Sequence, residues 1–164
     1  MSNFLKNILG ISFAALVSAS STTTTAGERL GIGSPVSKSV IAGWDIDARP
    51  DGHGLPKGSG TVEKGEEVYL EQCAACHGEF GEGAGRYPIL MGGYDTLTTV
   101  DPQKTVGSYW PYATTLYDYI RRAMPYGNAQ SLTTDEVYSV SAYVLFMNDI
   151  LEEDATLDAL RLAA

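Results

Sequence analysis

Apolar side chains recur at intervals of three and four residues in three stretches of the chain, which predicts three amphipathic helices. The first stretch begins near Glu63, has carboxylates in its opening turns, runs into the following cysteine motif and is ended by Gly78. The second covers residues 113–123, where Pro111 stands just before the first turn and Pro125 prevents continuation. Its apolar stripe consists of Leu116, Tyr119, Ile120 and Ala123.

The third helix is predicted by a capping signal followed by a broad apolar face. Thr133 and Glu136 have the spacing of a capping box, in which each side chain accepts a hydrogen bond from the backbone N–H of the other residue. The apolar residues that follow are Val137, Val140, Ala142, Val144, Leu145 and Met147. A face this wide has to be buried against other elements, and we expect the third helix to cross the first.

The segments outside these helices lack a helical pattern. Residues 27–62 are rich in turn-forming Gly and Pro and hold isolated large residues such as Trp44 and Ile46. This composition predicts an extended arm that contacts a partner or folds back on its own domain. Residues 79–94 are predicted to form a glycine-rich loop. Residues 151–164 are acidic at their start and are predicted to be a mobile tail.

Residues 1–26 have the features of a cleavable secretory signal peptide. A short polar start with the single cation Lys6 precedes an apolar run over residues 8–17, and small residues follow. Cleavage after Ala19 and cleavage after Ala26 both fit this pattern. The apolar run is much shorter than the roughly 20 residues that a membrane-spanning helix needs, so no membrane anchor is expected. The sequence therefore predicts export to the periplasm.

The net charge of the chain indicates which classes of molecule it could bind. The chain has 20 acidic and 11 basic side chains, and the predicted signal peptide holds one Lys and no acid, so the exported part has a formal charge of −10. Such a surface disfavours nucleic acid and anionic membranes. It favours positively charged protein partners through electrostatic steering, or it simply keeps an exported protein in solution. The length fits one compact domain plus an arm.

The chemistry of the chain is carried by the sequence CAACH at residues 73–77, the C-x-x-C-H spacing of haem c attachment. Two cysteines three positions apart on a helical turn can form thioethers with the vinyl groups of a porphyrin, and the adjacent histidine can bind the iron. A thioredoxin-like site does not need this histidine, and a tetrahedral zinc site needs two further ligands, while His53 is the only other histidine. We predict one haem c bound covalently to Cys73 and Cys76, with His77 as an iron ligand.

The candidates for a second iron ligand are the methionines and the remaining histidine. Met124 directly follows the second helix and lies 47 residues after His77, a separation typical of small cytochromes. The alternatives are Met91, in the loop near the first ligand, and His53, in the glycine-rich arm, whereas Met147 is expected to fill the core. We predict that Met124 is the ligand. A thioether raises the reduction potential relative to bis-histidine ligation because it favours ferrous iron.

Further residues are candidates to contact the cofactor. Pro88 stands eleven residues after the ligand histidine, the spacing at which a proline carbonyl usually accepts the Nδ1 hydrogen of that histidine, although a plain turn proline is the alternative. Arg86 and Trp110 are candidates to pair with the haem propionates, as are Tyr109 and Tyr112. Aromatic residues and a lone arginine are equally suited to packing or to the surface.

Together these elements indicate an all-α protein with the small monohaem class I cytochrome c fold and an extended N-terminal arm. Residues 63–150 are expected to form the cytochrome domain, between the arm and the tail. Because a core of so few helices depends on the porphyrin for apolar surface, the haem-free protein is expected to be poorly folded.

Four further stretches of sequence outside the haem motif are distinctive. They are GWDIDARPDG at residues 43–52, GSGTV at 58–62, GSYWPY at 107–112 and YDYIRRAMPYG at 117–127. Through them the chain resembles, over nearly all of residues 30–155, the haem subunit of sulfur (sulfane) dehydrogenase, the SoxD type of the bacterial sulfur-oxidising system. The resemblance implies haem attachment at Cys73 and Cys76 and axial ligation by His77 and Met124.

The resemblance also implies partners. In that family the haem subunit pairs with a molybdenum-cofactor protein, which oxidises sulfur bound to a carrier protein and passes electrons to the haem, and the arm would lie over the molybdenum subunit. Many members have a second, C-terminal haem domain, whereas this chain has a single haem motif. A further electron acceptor, such as another cytochrome c, is therefore expected.

The predicted function is an electron-transfer subunit of a sulfur dehydrogenase, without substrate chemistry of its own. One alternative is a free soluble cytochrome c that shuttles electrons between other oxidoreductases. A haem sensor or a peroxidase is an alternative from a different class, and it would need a vacant or labile sixth position on the iron, which Met124 argues against.

Overall fold

Helices lie at the three predicted positions in the fold, which a computed structural model describes for residues 31–164. The predicted signal peptide and the first residues of the arm lie outside this range. In chain order the elements are α1 (Lys38–Trp44), β1 (Ser59–Thr61), α2 (Val62–Gln72), α3 (Ala74–His77), α4 (Ala113–Ala123), α5 (Thr134–Met147), β2 (Thr156–Asp158) and α6 (Ala159–Leu162). Val36–Ala164 form one compact unit.

The first predicted helix is divided into α2 and α3. Thr61 caps α2, since its side-chain oxygen accepts a hydrogen bond from the backbone N–H of Lys64 at 3.1 Å. Cys73 stands between the two helices, outside the regular range of either. Gly78 ends α3 with φ of 81°, a conformation that only glycine adopts without cost. The helix therefore stops at the residue where the sequence predicts its end.

The boundaries of α4 and the cap of α5 agree with prediction. α4 spans Ala113–Ala123, and Met124 follows it. The capping box of α5 is confirmed, because Glu136 N–H donates to the Thr133 hydroxyl at 3.3 Å and Thr133 N–H donates to the Glu136 carboxylate at 2.7 Å.

The core lies mainly where α5 crosses α2, as the sequence predicts. The rings of Tyr69 in α2 and Tyr143 in α5 are 5.2 Å apart at this crossing, and those of Tyr117 in α4 and Tyr138 in α5 are 4.5 Å apart. α4 packs on α5 from another side. Burial of these rings and of the valines of α5 supplies the apolar area that stabilises the unit.

The C-terminal segment differs from its prediction. In place of a mobile tail over residues 151–164, the structure has β2, which pairs antiparallel with β1 so that Leu157 lies opposite Gly60. Ala155, Leu157 and Leu162 are buried, and α6 follows β2. The acidic start of the segment obscures this alternation of buried and exposed residues, which a strand requires. The all-α class is confirmed with the addition of this two-stranded sheet.

The arm also differs from an extended chain, because it contains α1. Ser37 caps this helix by accepting a hydrogen bond from the backbone N–H of Val40. No residue of α1 is buried, and Trp44 is 78% exposed. Ile46 is half-buried. Further along the arm, the backbone carbonyl of Pro56 accepts a hydrogen bond from the hydroxyl of Tyr138 in the core at 2.8 Å.

None of the helices between residues 31 and 164 has the length and apolar character that crossing a membrane requires.

Candidate cofactor site

A cavity of about 550 Å³ opens between α2, α3, α4 and α5. Its walls are mostly apolar, and its size is within the range of small-molecule and cofactor sites. All seven predicted site residues line it: Cys73, Cys76, His77, Arg86, Pro88, Trp110 and Met124. These residues come from four separate stretches of the sequence, so the fold brings them together.

The cysteine motif forms one tight turn in the cavity wall. His77 N–H donates to the carbonyl of Cys73 at 3.0 Å, and Cys73 N–H donates to the carbonyl of Tyr69 at 2.8 Å. The hydroxyl of Tyr69 donates to the carbonyl of Gly78 at 2.9 Å, which ties the end of the turn back to α2. The turn therefore places Cys73, Cys76 and His77 along a single wall.

Cys73 and Cys76 do not form a disulfide with each other, so both sulfur atoms are available for thioether bonds. Burial, with a smaller contribution from the nearby Cys76, raises the pKa of the Cys73 thiol to about 11. Within residues 31–164 no three His, Cys, Asp or Glu side chains come together as a metal site. The zinc interpretation of the motif thus finds no additional ligands in this part of the chain.

The imidazole of His77 is oriented by the loop that follows it. Nδ1–H of His77 donates to the carbonyl of Pro88 at 2.9 Å, which is the hydrogen bond that the eleven-residue spacing predicts. The loop is itself held in place, since Leu90 N–H donates to the backbone carbonyl of Gly81 at 2.8 Å and Gly83 N–H donates to the backbone carbonyl of His77 at 2.6 Å. With Nδ1 occupied, Nε2 is the ring nitrogen left to act as a ligand.

Met124 is the methionine that reaches the cavity wall. It directly follows α4, and its N–H donates to the carbonyl of Ile120 at 3.1 Å. Met91, Met147 and His53 do not line the cavity. His53 is exposed in the arm, and Met147 packs against the core as expected. Of the four candidates for the second iron ligand, the fold places Met124 in the cavity.

The structure places two of the candidate propionate partners in the cavity wall and two outside it. Trp110 lines the cavity and packs edge-on against Tyr119, with the ring centroids 5.7 Å apart. Arg86 lines the cavity with its guanidinium 5.3 Å from the ring of Tyr87. Tyr109 and Tyr112 are exposed and do not line the cavity.

Two residues that support the site were not predicted from the sequence. Asn148, at the end of α5, is 1% exposed and bridges to the loop, donating to the carbonyl of Leu90 at 3.1 Å and accepting from Gly92 N–H at 3.2 Å. A polar residue that ends an apolar helix was the available signal. The second is Tyr69, whose position four residues before Cys73 puts it on the same helix face; its burial raises the pKa of its hydroxyl.

Comparison with known proteins decides the family. Residues 62–148 match the sequence profile of the family described as Cytochrome c, and this span is more than half of the chain. The chain belongs to the cytochrome c family. Membership implies a covalently bound haem c and an electron-transfer role. The residues that line the cavity fit that cofactor, because thiols, an imidazole and a thioether converge on apolar walls.

This cytochrome c is also similar to a solved structure, the crystal structure of the sulfane dehydrogenase SoxCD from Paracoccus pantotrophus. The two share 43% sequence identity with a TM-score of 0.76, over 82% of this chain and 66% of the other. The similarity extends beyond the family profile, since residues 62–148 are only about half of the chain. The resemblance recognised in the sequence is confirmed.

Curated relatives share a different name, thiosulfate dehydrogenase. The protein from Stutzerimonas stutzeri is 33% identical over 94 residues, which are 54% of this chain and 28% of the relative. The protein from Allochromatium vinosum is 32% identical over 117 residues, which are 63% of this chain and 39% of the relative. This cytochrome c therefore spans well under half the length of these relatives.

Proposed function

We propose that the chain is a periplasmic electron-transfer subunit that accepts electrons from a molybdenum-cofactor sulfur dehydrogenase subunit and passes them to a further acceptor, such as another cytochrome c. Cys73 and Cys76 would hold one haem c through thioethers, and His77 and Met124 would be the ligands of its iron. The observation that carries the proposal is the convergence of these four side chains on one apolar cavity. Haem c supplies one-electron chemistry there.

Each side chain of the cavity has a separate task in this proposal. The hydrogen bond from Nδ1 to Pro88 holds His77 in the tautomer that leaves Nε2 for the iron and makes it a stronger ligand. The Met124 thioether, as a soft ligand, favours the ferrous state. Leu116, Ile120 and the other apolar walls exclude water, so that few competing ligands would reach the iron. Arg86 and Trp110 would hold the propionates.

The arm supports the proposed interaction with a molybdenum subunit. α1 presents Val40, Ile41 and Trp44 to solvent, and apolar side chains exposed together indicate a contact surface. Similarity to the sulfane dehydrogenase SoxCD supports a dehydrogenase subunit as the partner, and the resemblance recognised in the sequence implies its molybdenum cofactor. The proposed periplasmic location rests on the predicted signal peptide, which lies outside the described residues, and on haem c attachment outside the cytoplasm.

The experiment is expression of the full chain in a bacterium that matures c-type cytochromes, followed by affinity purification from a strain that has the sulfur-oxidising system. We expect the mass of one haem added to the chain, a low-spin spectrum with the near-infrared sulfur-to-iron band, and co-purification of a molybdenum protein that reduces the haem. A chain without covalent haem would overturn the cofactor assignment. A haem protein that purifies without molybdenum would instead favour a free shuttle.

A matched pair of variants tests whether α1 in the arm contacts the molybdenum subunit. Trp44→Ala should weaken association with the molybdenum subunit and leave the haem spectrum intact. Val100→Ala removes another fully exposed apolar side chain, from the loop before α4, and should leave association unchanged. Equal affinity in both variants would count against α1 as the contact.

Thiosulfate oxidation is a second candidate function, and the names of the curated relatives favour it. Purified haem-loaded chain mixed with thiosulfate distinguishes the two proposals. We expect the haem to stay oxidised until a dehydrogenase subunit is added. Reduction by thiosulfate alone would favour activity at the haem itself.

A further inference from the structure

Two sides of α4 make contacts within the protein: one faces the cavity, and the other faces the arm. Leu116, Tyr119 and Ile120 line the cavity. Asp118, Arg121 and Arg122 instead contact residues 46–48 of the arm, shortly after the end of α1. The helix that ends at Met124 is therefore held between the cavity and the arm.

A carboxylate and a guanidinium organise most of this contact. Asp118 accepts a hydrogen bond from the backbone N–H of Ala48 at 2.8 Å. It also accepts two from Arg122, one from Nε and one from Nη2, each at 3.2 Å. Nη2 of Arg122 donates in addition to Asp47 in the arm at 2.6 Å. A forked pair of this kind fixes the orientation of both side chains.

A third hydrogen bond joins the arm to this part of α4. Arg121 Nη1 donates to the backbone carbonyl of Ile46 at 3.2 Å. Three consecutive arm residues are thus bonded to three residues of α4 that lie two to six positions before Met124.

These contacts are made at the C-terminal end of α4, which is the part of a helix that unfolds most readily. The last carbonyls of a helix have no partner within the helix, and the final turn frays readily. Met124 is attached to that turn through the bond from its N–H to Ile120. Partly exposed ion pairs contribute little to global stability, so the effect of these contacts should be local.

We propose that residues 46–48 of the arm are a clamp that positions Met124 by holding the last turn of α4. Asp118, Arg121 and Arg122 are its positioning residues, and Asp47 is its charged contact in the arm. The inference rests on the proposed role of Met124 as an iron ligand. It gives the arm a task inside the cytochrome domain, apart from any contact with a partner subunit.

The test compares haem-loaded full chains that have the substitution Asp47→Asn, Asp118→Ala or Glu67→Gln. The last is the matched control, because it removes one negative charge and breaks the 2.7 Å pair between Lys64 and Glu67 on α2. Two readouts are followed: the temperature at which the sulfur-to-iron band is lost, and amide hydrogen exchange at Met124.

In both clamp variants the band should disappear at a lower temperature than in wild type, well before the helices melt. Exchange at Met124 should be roughly fivefold faster, the factor that corresponds to loss of one ordinary hydrogen bond. The Glu67→Gln variant should show neither change. Asp47→Glu, which retains the charge, should restore most of the wild-type behaviour.

Shifts no larger than those of the control would overturn the clamp. If the wild type lacks the band, the ligand assignment fails, while exchange at Met124 still decides whether the arm holds the turn. If Asp118→Ala does not fold, Asp47→Asn decides, because it leaves the sequence of α4 intact.

Discussion

Gly65 in α2 lies directly against the backbone carbonyl of Ser139 in α5, at the point where the two helices cross. A Cβ at position 65 would overlap that carbonyl and would also come within 2.8 Å of the side chain of Tyr143. The close approach brings Val140 and Val144 of α5 into the wall of the same cavity that Cys73, at the end of α2, lines. The cavity thus depends on a residue without a side chain.

Gly65→Ala should therefore destabilise the protein. Overpacking of a filled interface costs about 1–3 kcal/mol, which outweighs the gain of up to about 1 kcal/mol in helix propensity. The control is Gly43→Ala in α1, where an added Cβ meets no atom within 4 Å, and this variant should be neutral or slightly more stable. Urea denaturation of both holo proteins measures the difference. Equal stability would show that the crossing can relax.

Met124→Ala should remove the sulfur-to-iron band, lower the reduction potential and let the haem bind CO. Axial ligands set haem potentials over roughly 0.8 V, so the decrease should be a substantial part of that range. Potentiometry and a CO-difference spectrum measure the two effects. Met147→Leu is the control, since Met147 packs against the core outside the cavity and a volume-conserving change there should leave both unchanged. An unaltered spectrum in Met124→Ala would assign the ligand elsewhere.

The helices and the cavity motif could be predicted from the sequence because their signals are local. Periodicity, a capping box and a helix-ending glycine all act within a few residues. The contacts of Asn148 with Leu90 and Gly92, and those of Asp118 with the arm, join segments distant in sequence. No local pattern specifies such pairs, and the same is true of β2, which needs β1 as its partner.

Asn148→Ala should destabilise the loop that carries Pro88. The amide of Asn148 donates to the carbonyls of Leu90 and Val144, at 3.1 and 2.8 Å, and accepts from Gly92. Its loss leaves one buried and two partly buried backbone groups without these partners, which should cost about 2–4 kcal/mol. Asn128→Ala, at an exposed position, is the control. Thermal unfolding of both variants, followed by haem absorbance, checks the prediction, and a loss no greater than in the control would contradict it.

Stability should fall at acidic pH in part because of Glu136. Hydrogen bonds from the backbone N–H and hydroxyl of Thr133 hold the pKa of this carboxyl below its ordinary value. A group whose pKa is lower in the folded state contributes its full stabilisation above its unfolded pKa, and this contribution is lost as the pH falls through the folded pKa. Because Glu136 is partly exposed, we expect only about 0.5–1 kcal/mol.

The measurement for Glu136 is the free energy of unfolding in urea between about pH 3 and pH 7. Glu136→Gln should give a shallower acid limb than wild type. Glu153→Gln removes an exposed carboxylate outside the capping box and should follow the wild-type curve. Parallel curves for wild type and Glu136→Gln would mean that the cap does not depend on charge.

The strand near the C-terminus should contribute to the stability of the whole domain. Leu157 is 1% exposed and lies opposite Gly60 in the two-stranded sheet, whereas Leu160, three residues later, is 85% exposed. Removing a buried leucine side chain leaves a cavity and costs about 2–5 kcal/mol, so Leu157→Ala should lower the free energy of unfolding by that amount. Leu160→Ala should change it by less than about 0.5 kcal/mol. If the two variants are equally stable in urea denaturation, the segment does not pack on the core in solution, and the mobile tail expected from its acidic composition would be the better description.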